Sequence, residues 1–124
     1  MKRMIFIILS IAMLTGFHSV AQERIFIAHR GVNMRYVAAG ENSIEAIRLA
    51  KRAGFKAIET DVRLTADSVL VAAHSWEDFN RMTGNAHRGD SAMMLEQFVE
   101  QRIHGRYTPM TAAMVNDFFM SDTS

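Results

Sequence analysis

One helix with an apolar run on either side constrains this chain more than any other feature. Residues 42–53 (NSIEAIRLAKRA) bring Ile44, Ile47 and Ala50 to one side of a 3.6-residue repeat, with Ala46 and Leu49 beside them. Glu45, Arg48, Lys51 and Arg52 fall outside that face. Asn42 is the expected cap, Glu45 three residues later completes a capping-box pattern, and Gly54 supplies the left-handed position beyond the last turn. Ahead of the helix, residues 24–30 (RIFIAHR) carry the unbroken apolar run of a strand buried in a parallel sheet. Behind it, residues 57–75 (AIETDVRLTADSVLVAAHS) read as strand, turn and strand. Val62, Val69, Leu70 and Val71 supply the strand formers, and residues 65–68 the polar break. Strand, helix and strand within about 35 residues form a βαβ unit, which dictates parallel strands and a right-handed crossover.

The next link cannot repeat that unit. Twelve residues separate Asp61 from His74, too few for another helical crossover. A tight hairpin would pair residues whose numbers sum to about 133–135; a tight parallel return is the other possibility. Either way His74 is expected to end near Glu59 and Asp61.

The two ends of the chain read differently. Lys2 and Arg3 precede an apolar run over residues 4–14, and Ser19-Val20-Ala21 has the small-x-small form of a signal-peptidase site. The run falls short of the roughly 20 apolar residues of a membrane-spanning helix. Residues 1–21 therefore read as a signal peptide and the protein as exported, periplasmic or extracellular, with membrane contact only through that segment if it stays uncleaved. Loss of Lys2 and Arg3 takes the net charge from +1 to −1, without the clustered basic excess of a nucleic-acid footprint. There is no cysteine, which excludes a disulfide framework. Residues 32–40 and 76–90 lack a clear period and read as loops. Residues 91–103 look helical, with Met94, Leu95, Phe98, Val99 and Arg102 along one side. Thr108-Pro109 reads as a helix start, and residues 111–120 as a further short helix. Glu96, Glu100, His87 and His104 read as surface positions. Residues 22–124 can hold one modest core, far less than the about 250 residues of a complete (β/α) barrel.

The chemistry concentrates at the strand ends. Alternation puts Glu59 and Asp61 on one face, where their charges repel unless something positive sits between them. A hard divalent cation, Ca²⁺ or Mg²⁺, is the usual solution because it prefers oxygen ligands. Singly, each residue has a plain structural reading: His29 as a histidine at a strand end, Glu59 and Asp61 as the wet side of an edge strand, Arg30 as a surface charge. The ordered set says more.

His29-Arg30-Gly31, Glu41-Asn42-Ser43, Glu59-x-Asp61-Val62, Thr65-x-Asp67 and His74, in that order, resemble the glycerophosphodiester phosphodiesterase family, one of the phosphatidylinositol phospholipase C-like phosphodiesterases. The resemblance runs from about Ile27 to Gly84. It implies an α/β fold, the N-terminal part of a TIM-type (β/α) barrel, with about three strands and three helices after the signal peptide. It further implies His29 and His74 as general acid and base, Arg30 as the phosphate-binding arginine, and Glu59 and Asp61 as metal ligands for Ca²⁺ or Mg²⁺. The expected substrate is a small glycerophosphodiester, cleaved to glycerol 3-phosphate and an alcohol. Ser75 stands where the family usually has aspartate, and Ala66 and Ser68 replace its usual lysine and glycine. The family's third metal-binding carboxylate lies on a later strand without a counterpart after Gly84, so the chain reads as part of a longer enzyme. Glu41 matches the family without a role, and Asn42 is read as a helix cap. Two other readings stay open: an exported, non-catalytic module binding phosphate or lipid headgroups, and a related lipase acting on phosphoinositides or sphingolipids.

Overall fold

A computed structural model of the chain describes residues 23–31 and 40–121. The expected signal peptide, nearly all of the loop after Gly31 and the last three residues lie outside the described residues. The elements are β1 (Ile27–Ala28), α1 (Ile44–Arg52), β2 (Ala57–Ile58), β3 (Val62–Leu64), β4 (Leu70–Ala72), α2 (Trp76–Met82), a 3₁₀ turn (Ala86–Arg88), α3 (Leu95–Glu100) and α4 (Ala112–Met120). Among the described residues no helix is long and apolar enough to cross a membrane.

The βαβ unit forms as the pattern dictates. β1 and β2 are parallel, with Ile27 opposite Ala57 and Ala28 opposite Ile58. α1 between them buries Ile44, Ala46, Ile47 and Ala50. Gly54 takes the left-handed conformation expected after the last turn, at φ +83°. The first strand, however, is shorter and barer than its apolar run predicts. Ile25, Phe26 and Ile27 are 65%, 70% and 61% exposed, because among the described residues β2 is the one strand paired with β1.

The hairpin is antiparallel, which settles the open choice of direction. Val62 faces Ala72, Arg63 faces Val71 and Leu64 faces Leu70, a register sum of 134. The expected single strand before the turn is in fact two. Glu59 N–H still donates to Ala28 O (3.0 Å), whereas Asp61 O already accepts from Ala73 N–H (3.1 Å). The chain thus changes partners across Glu59–Asp61, and β1–β2 and β3–β4 are separate two-stranded sheets.

β4 divides the core because alternate side chains point to opposite faces. Val71 joins Ala73, Trp76, Phe79, Met82, Met93, Phe98 and Ile103; Ala72 joins Ile44, Ile47 and Met110. Phe79 stacks on Phe98 with ring centres 4.6 Å apart, and Trp76 meets both rings edge-on. Met114, Val115 and Phe118 of α4 pack on the second group.

Three expectations about helices change. Residues 76–90 are not simply a loop: α2 occupies half of them, its buried Trp76, Phe79 and Met82 spaced to face the core. Of residues 91–103 only Leu95–Glu100 are helical, and Val99 and Met94 are 42% and 47% exposed. Thr111, not Thr108, caps the last helix by accepting from Met114 N–H. Thr108 instead binds Glu45: its N–H and hydroxyl each donate to one carboxylate oxygen at 2.8 Å. Burial raises the Glu45 carboxyl, but these hydrogen bonds outweigh it and leave the pKa below the usual value.

Candidate active site

The site lies beyond the carboxyl ends of β1 and β2, where parallel sheets leave a crevice for ligands. Arg30 is its centre. Its backbone is left-handed, at φ +52°, an uncommon state for a residue with a Cβ. That conformation aims its N–H at Glu59, whose Oε2 accepts at 3.0 Å. Gly31 follows at φ +74°, where a Cβ would come within 3.2 Å of both Ala46 and Ile47. The glycine is thus required twice, by its own backbone and by close packing on α1.

The Arg30 guanidinium is held from two sides. Nη1 donates to Glu41 Oε2 at 2.7 Å, and Nε lies 3.1 Å from Asp61 Oδ2. The hydrogen bond to Glu41 raises the arginine's pKa, burial opposes it, and the charges of Glu41, Asp61 and Asp78 reinforce it. The positive group expected between Glu59 and Asp61 is therefore present as Arg30 itself, reaching one carboxylate through its backbone and the other through its side chain.

Two residues enter the site in ways their sequence readings omit. Glu41 is the shortest contact of Arg30. Asn42 is not the helix cap: Ser43 is, its hydroxyl accepting from Ala46 N–H at 3.1 Å and donating to Gly40 O at 2.6 Å. Asn42, left-handed at φ +56° and 2% exposed, points its amide at Asp61, Nδ2 donating to Oδ2 at 3.4 Å. Its Oδ1 is buried without a hydrogen-bond partner. The adjacent Asn-Ser could each cap a helix; what separates them is Asp61, nineteen residues away.

The two histidines stand apart in their surroundings. His29 Nε2 is 3.8 Å from Glu59 Oε2, with 62% of its side chain exposed. His74 follows Ala73, whose N–H binds Asp61 O, so β4 delivers it beside the carboxylate segment. Its ring pairs with neither Glu59 nor Asp61 but with Asp78, Nδ1 to Oδ2 at 2.7 Å. Ser75, next in sequence, caps α2 by accepting from Asp78 N–H.

Among the described residues no group of three or more His, Cys, Asp or Glu side chains is arranged to hold a metal ion. Glu59 and Asp61 offer carboxylate oxygens, the donor type that a hard cation prefers, and Asn42 Oδ1 is buried nearby without a hydrogen-bond partner. Among the described residues Glu59 is engaged through Oε2, and the Asp61 carboxylate through Oδ2. A cavity of about 370 Å³ lined by Phe26, Gly31, Leu49, Ala50, Ala53, Gly54 and Phe55 carries none of the charged side chains of this cluster.

The family model described as "Glycerophosphoryl diester phosphodiesterase family" matches residues 29–120. The chain resembles the glycerophosphodiester phosphodiesterase of Agrobacterium tumefaciens, at 25% identity and TM-score 0.64, covering 77% of this chain and 42% of that one. An Oleispira antarctica phosphodiesterase, solved with the product sn-glycerol-3-phosphate, gives 25% and 0.61, covering 77% and 39%. A glycerophosphoryl diester phosphodiesterase from Parabacteroides distasonis gives 27% and 0.56, covering 79% and 36%. No match is found among curated protein sequences. The fold is an α/β fragment of a TIM-type barrel, and the chain spans about two fifths of the length of these structures.

Proposed function

Because this chain belongs to the glycerophosphoryl diester phosphodiesterase family, we propose that its site serves the metal-dependent hydrolysis of a glycerophosphodiester to glycerol 3-phosphate and an alcohol. The observation that carries the proposal is the Arg30 cluster. A guanidinium fixed by Glu41 and Asp61, at the mouth of a parallel strand pair with His29 alongside, presents a rigid cation to a phosphate. The glycerol 3-phosphate bound to the Oleispira antarctica protein supports a substrate of this kind.

In this reading one imidazole, of His29 or His74, takes the proton from the attacking oxygen. The other returns a proton to the departing alcohol as the phosphorus–oxygen bond breaks. Arg30 offsets the charge that builds on the phosphoryl oxygens. Glu59 and Asp61, with Asn42 beside Asp61, would hold a Ca²⁺ or Mg²⁺ ion, which supplies Lewis-acid stabilisation of the same charge. The apolar run over residues 4–14 supports placing the reaction outside the cytoplasm.

The test is release of glycerol 3-phosphate from glycerophosphocholine by the chain, with Ca²⁺, Mg²⁺ or a chelator. Expected is a metal-dependent turnover that His29→Ala lowers by at least about 100-fold. Turnover indifferent to both chelation and His29→Ala would overturn the mechanism. A folded chain that binds glycerol 3-phosphate without turnover would favour the non-catalytic module instead.

A further inference from the structure

His74 leaves β4 with 42% of its side chain exposed, and among the described residues its ring is held by Asp78. Nδ1 lies 2.7 Å from Oδ2 of Asp78, one helical turn further along the chain. Arg81 Nη2 donates to the other oxygen, Oδ1, at 3.0 Å. The hydrogen bond from His74, then that from Arg81, holds the Asp78 carboxyl ionised, its pKa lowered to about 2. An ionised carboxylate only accepts, so Nδ1 carries the proton in this bond. When the imidazole is neutral, Nε2 is then the nitrogen with the free lone pair. Ser75 caps the same helix, its hydroxyl accepting from Asp78 N–H at 3.0 Å, while the Asp78 carboxylate is left to His74 and Arg81.

We propose that Asp78 is the positioning residue of His74, fixing the orientation of the ring and its Nδ1–H tautomer so that Nε2 is offered to the substrate. The carboxylate that supports the histidine is thereby supplied from the first turn of α2, while Ser75 occupies the position directly after it. The inference deepens the acid–base reading given above, yet the tautomer can be observed whether or not the chain turns over.

The experiment is ¹⁵N NMR of the histidine-labelled full chain at about pH 9, where imidazole is neutral. Wild-type, Asp78→Ala and Ser75→Ala are compared, with circular dichroism as a check on folding. The wild-type His74 ring is expected as Nδ1–H, and Asp78→Ala should convert it largely to Nε2–H. Ser75→Ala, which loosens the same helix without removing the carboxylate, should leave it as Nδ1–H. If the chain turns over, Asp78→Ala should lower kcat about tenfold or more with KM little changed. A wild-type ring already in the Nε2–H form, or one unmoved by Asp78→Ala, overturns the proposal. So does an equal change in Ser75→Ala, which would make the role of Asp78 merely structural. Loss of turnover in His74→Ala tests the catalytic reading separately.

Discussion

Arg30 and His74 both rely on carboxylates, but they obtain them in opposite ways. Arg30 draws on Glu41 and Asp61, eleven and thirty-one positions along the chain, and its N–H reaches Glu59. His74 takes Asp78 from the next turn of the same local segment. The first arrangement exists only when β1, β2 and α1 are assembled; the second needs little more than one capped helix. Burial follows the same division, with the Arg30 side chain 19% exposed and that of His74 42%. Arg30 is therefore tied to the stability of the fold, whereas the His74 imidazole is tied to the stability of one helix. Substitutions should separate the two.

The largest effect is expected at Arg30. Removal by Arg30→Ala leaves Glu41 and Asp61 facing each other in a partly buried site and takes away the group proposed to bind phosphate. Turnover should fall by about 100- to 1,000-fold, in line with the loss of a charge-stabilising donor. Stability should fall with it, by about 3 kcal/mol if the remaining carboxylates stay unpaired. Arg30→Lys keeps the charge but cannot fork between two acceptors, and should recover stability better than activity. Thermal denaturation beside steady-state kinetics checks both. A stable but inactive Arg30→Ala would break the comparison, since Arg30 would then serve substrate alone.

An acid titration comes next in size. Asp78 has a folded pKa of about 2, below the ordinary 3.8. A depressed carboxylate adds stability that is fully present above the ordinary value and is lost as pH falls through the folded one. The chain should therefore lose stability between about pH 4 and pH 2, the Asp78 share being about 1 kcal/mol after solvent screening. Glu45 and Asp67, also lowered, titrate in the same direction. Denaturation midpoints should thus show a shallower acid slope in Asp78→Ala, not a flat one. An unchanged slope would mean that the His74–Asp78 bond contributes nothing to folding.

The same division between local and distant partners governs what could be read from sequence. The βαβ unit, the hairpin register and Gly54 follow from periodicity and turn chemistry, which act over a few residues. The roles of Glu41 and Asn42 do not, because nothing within a few positions distinguishes a cap from a residue aimed at Asp61. Glu45 is the instructive case. Its spacing from Asn42 fits a capping box, yet its carboxylate is taken by Thr108, sixty-three positions away. α2 was the legible exception. Ser75 followed by Asp78, with Trp76, Phe79 and Met82 at helical spacing, carries a start signal and a core face, but the glycines at 84 and 89 dominate a reading by composition. His74 could be placed near the carboxylates by counting along the hairpin. Its partner could not, since that partner depends on α2.

The smallest effect is expected at Arg81. Its guanidinium reaches Asp78 Oδ1 at 3.0 Å while 62% of its side chain stays exposed. Exposed pairs of this kind contribute little, because solvent screens the charges and the long side chain gives up conformational freedom. Arg81→Ala should therefore cost less than about 1 kcal/mol in a chemical denaturation. It should also leave His74 in its Nδ1–H form, because the two partners of Asp78 use different oxygens. If Arg81→Ala releases the ring as fully as Asp78→Ala, the histidine is held by a three-residue network and the contrast with Arg30 narrows. If it does not, a single carboxylate one helical turn away is sufficient to orient His74.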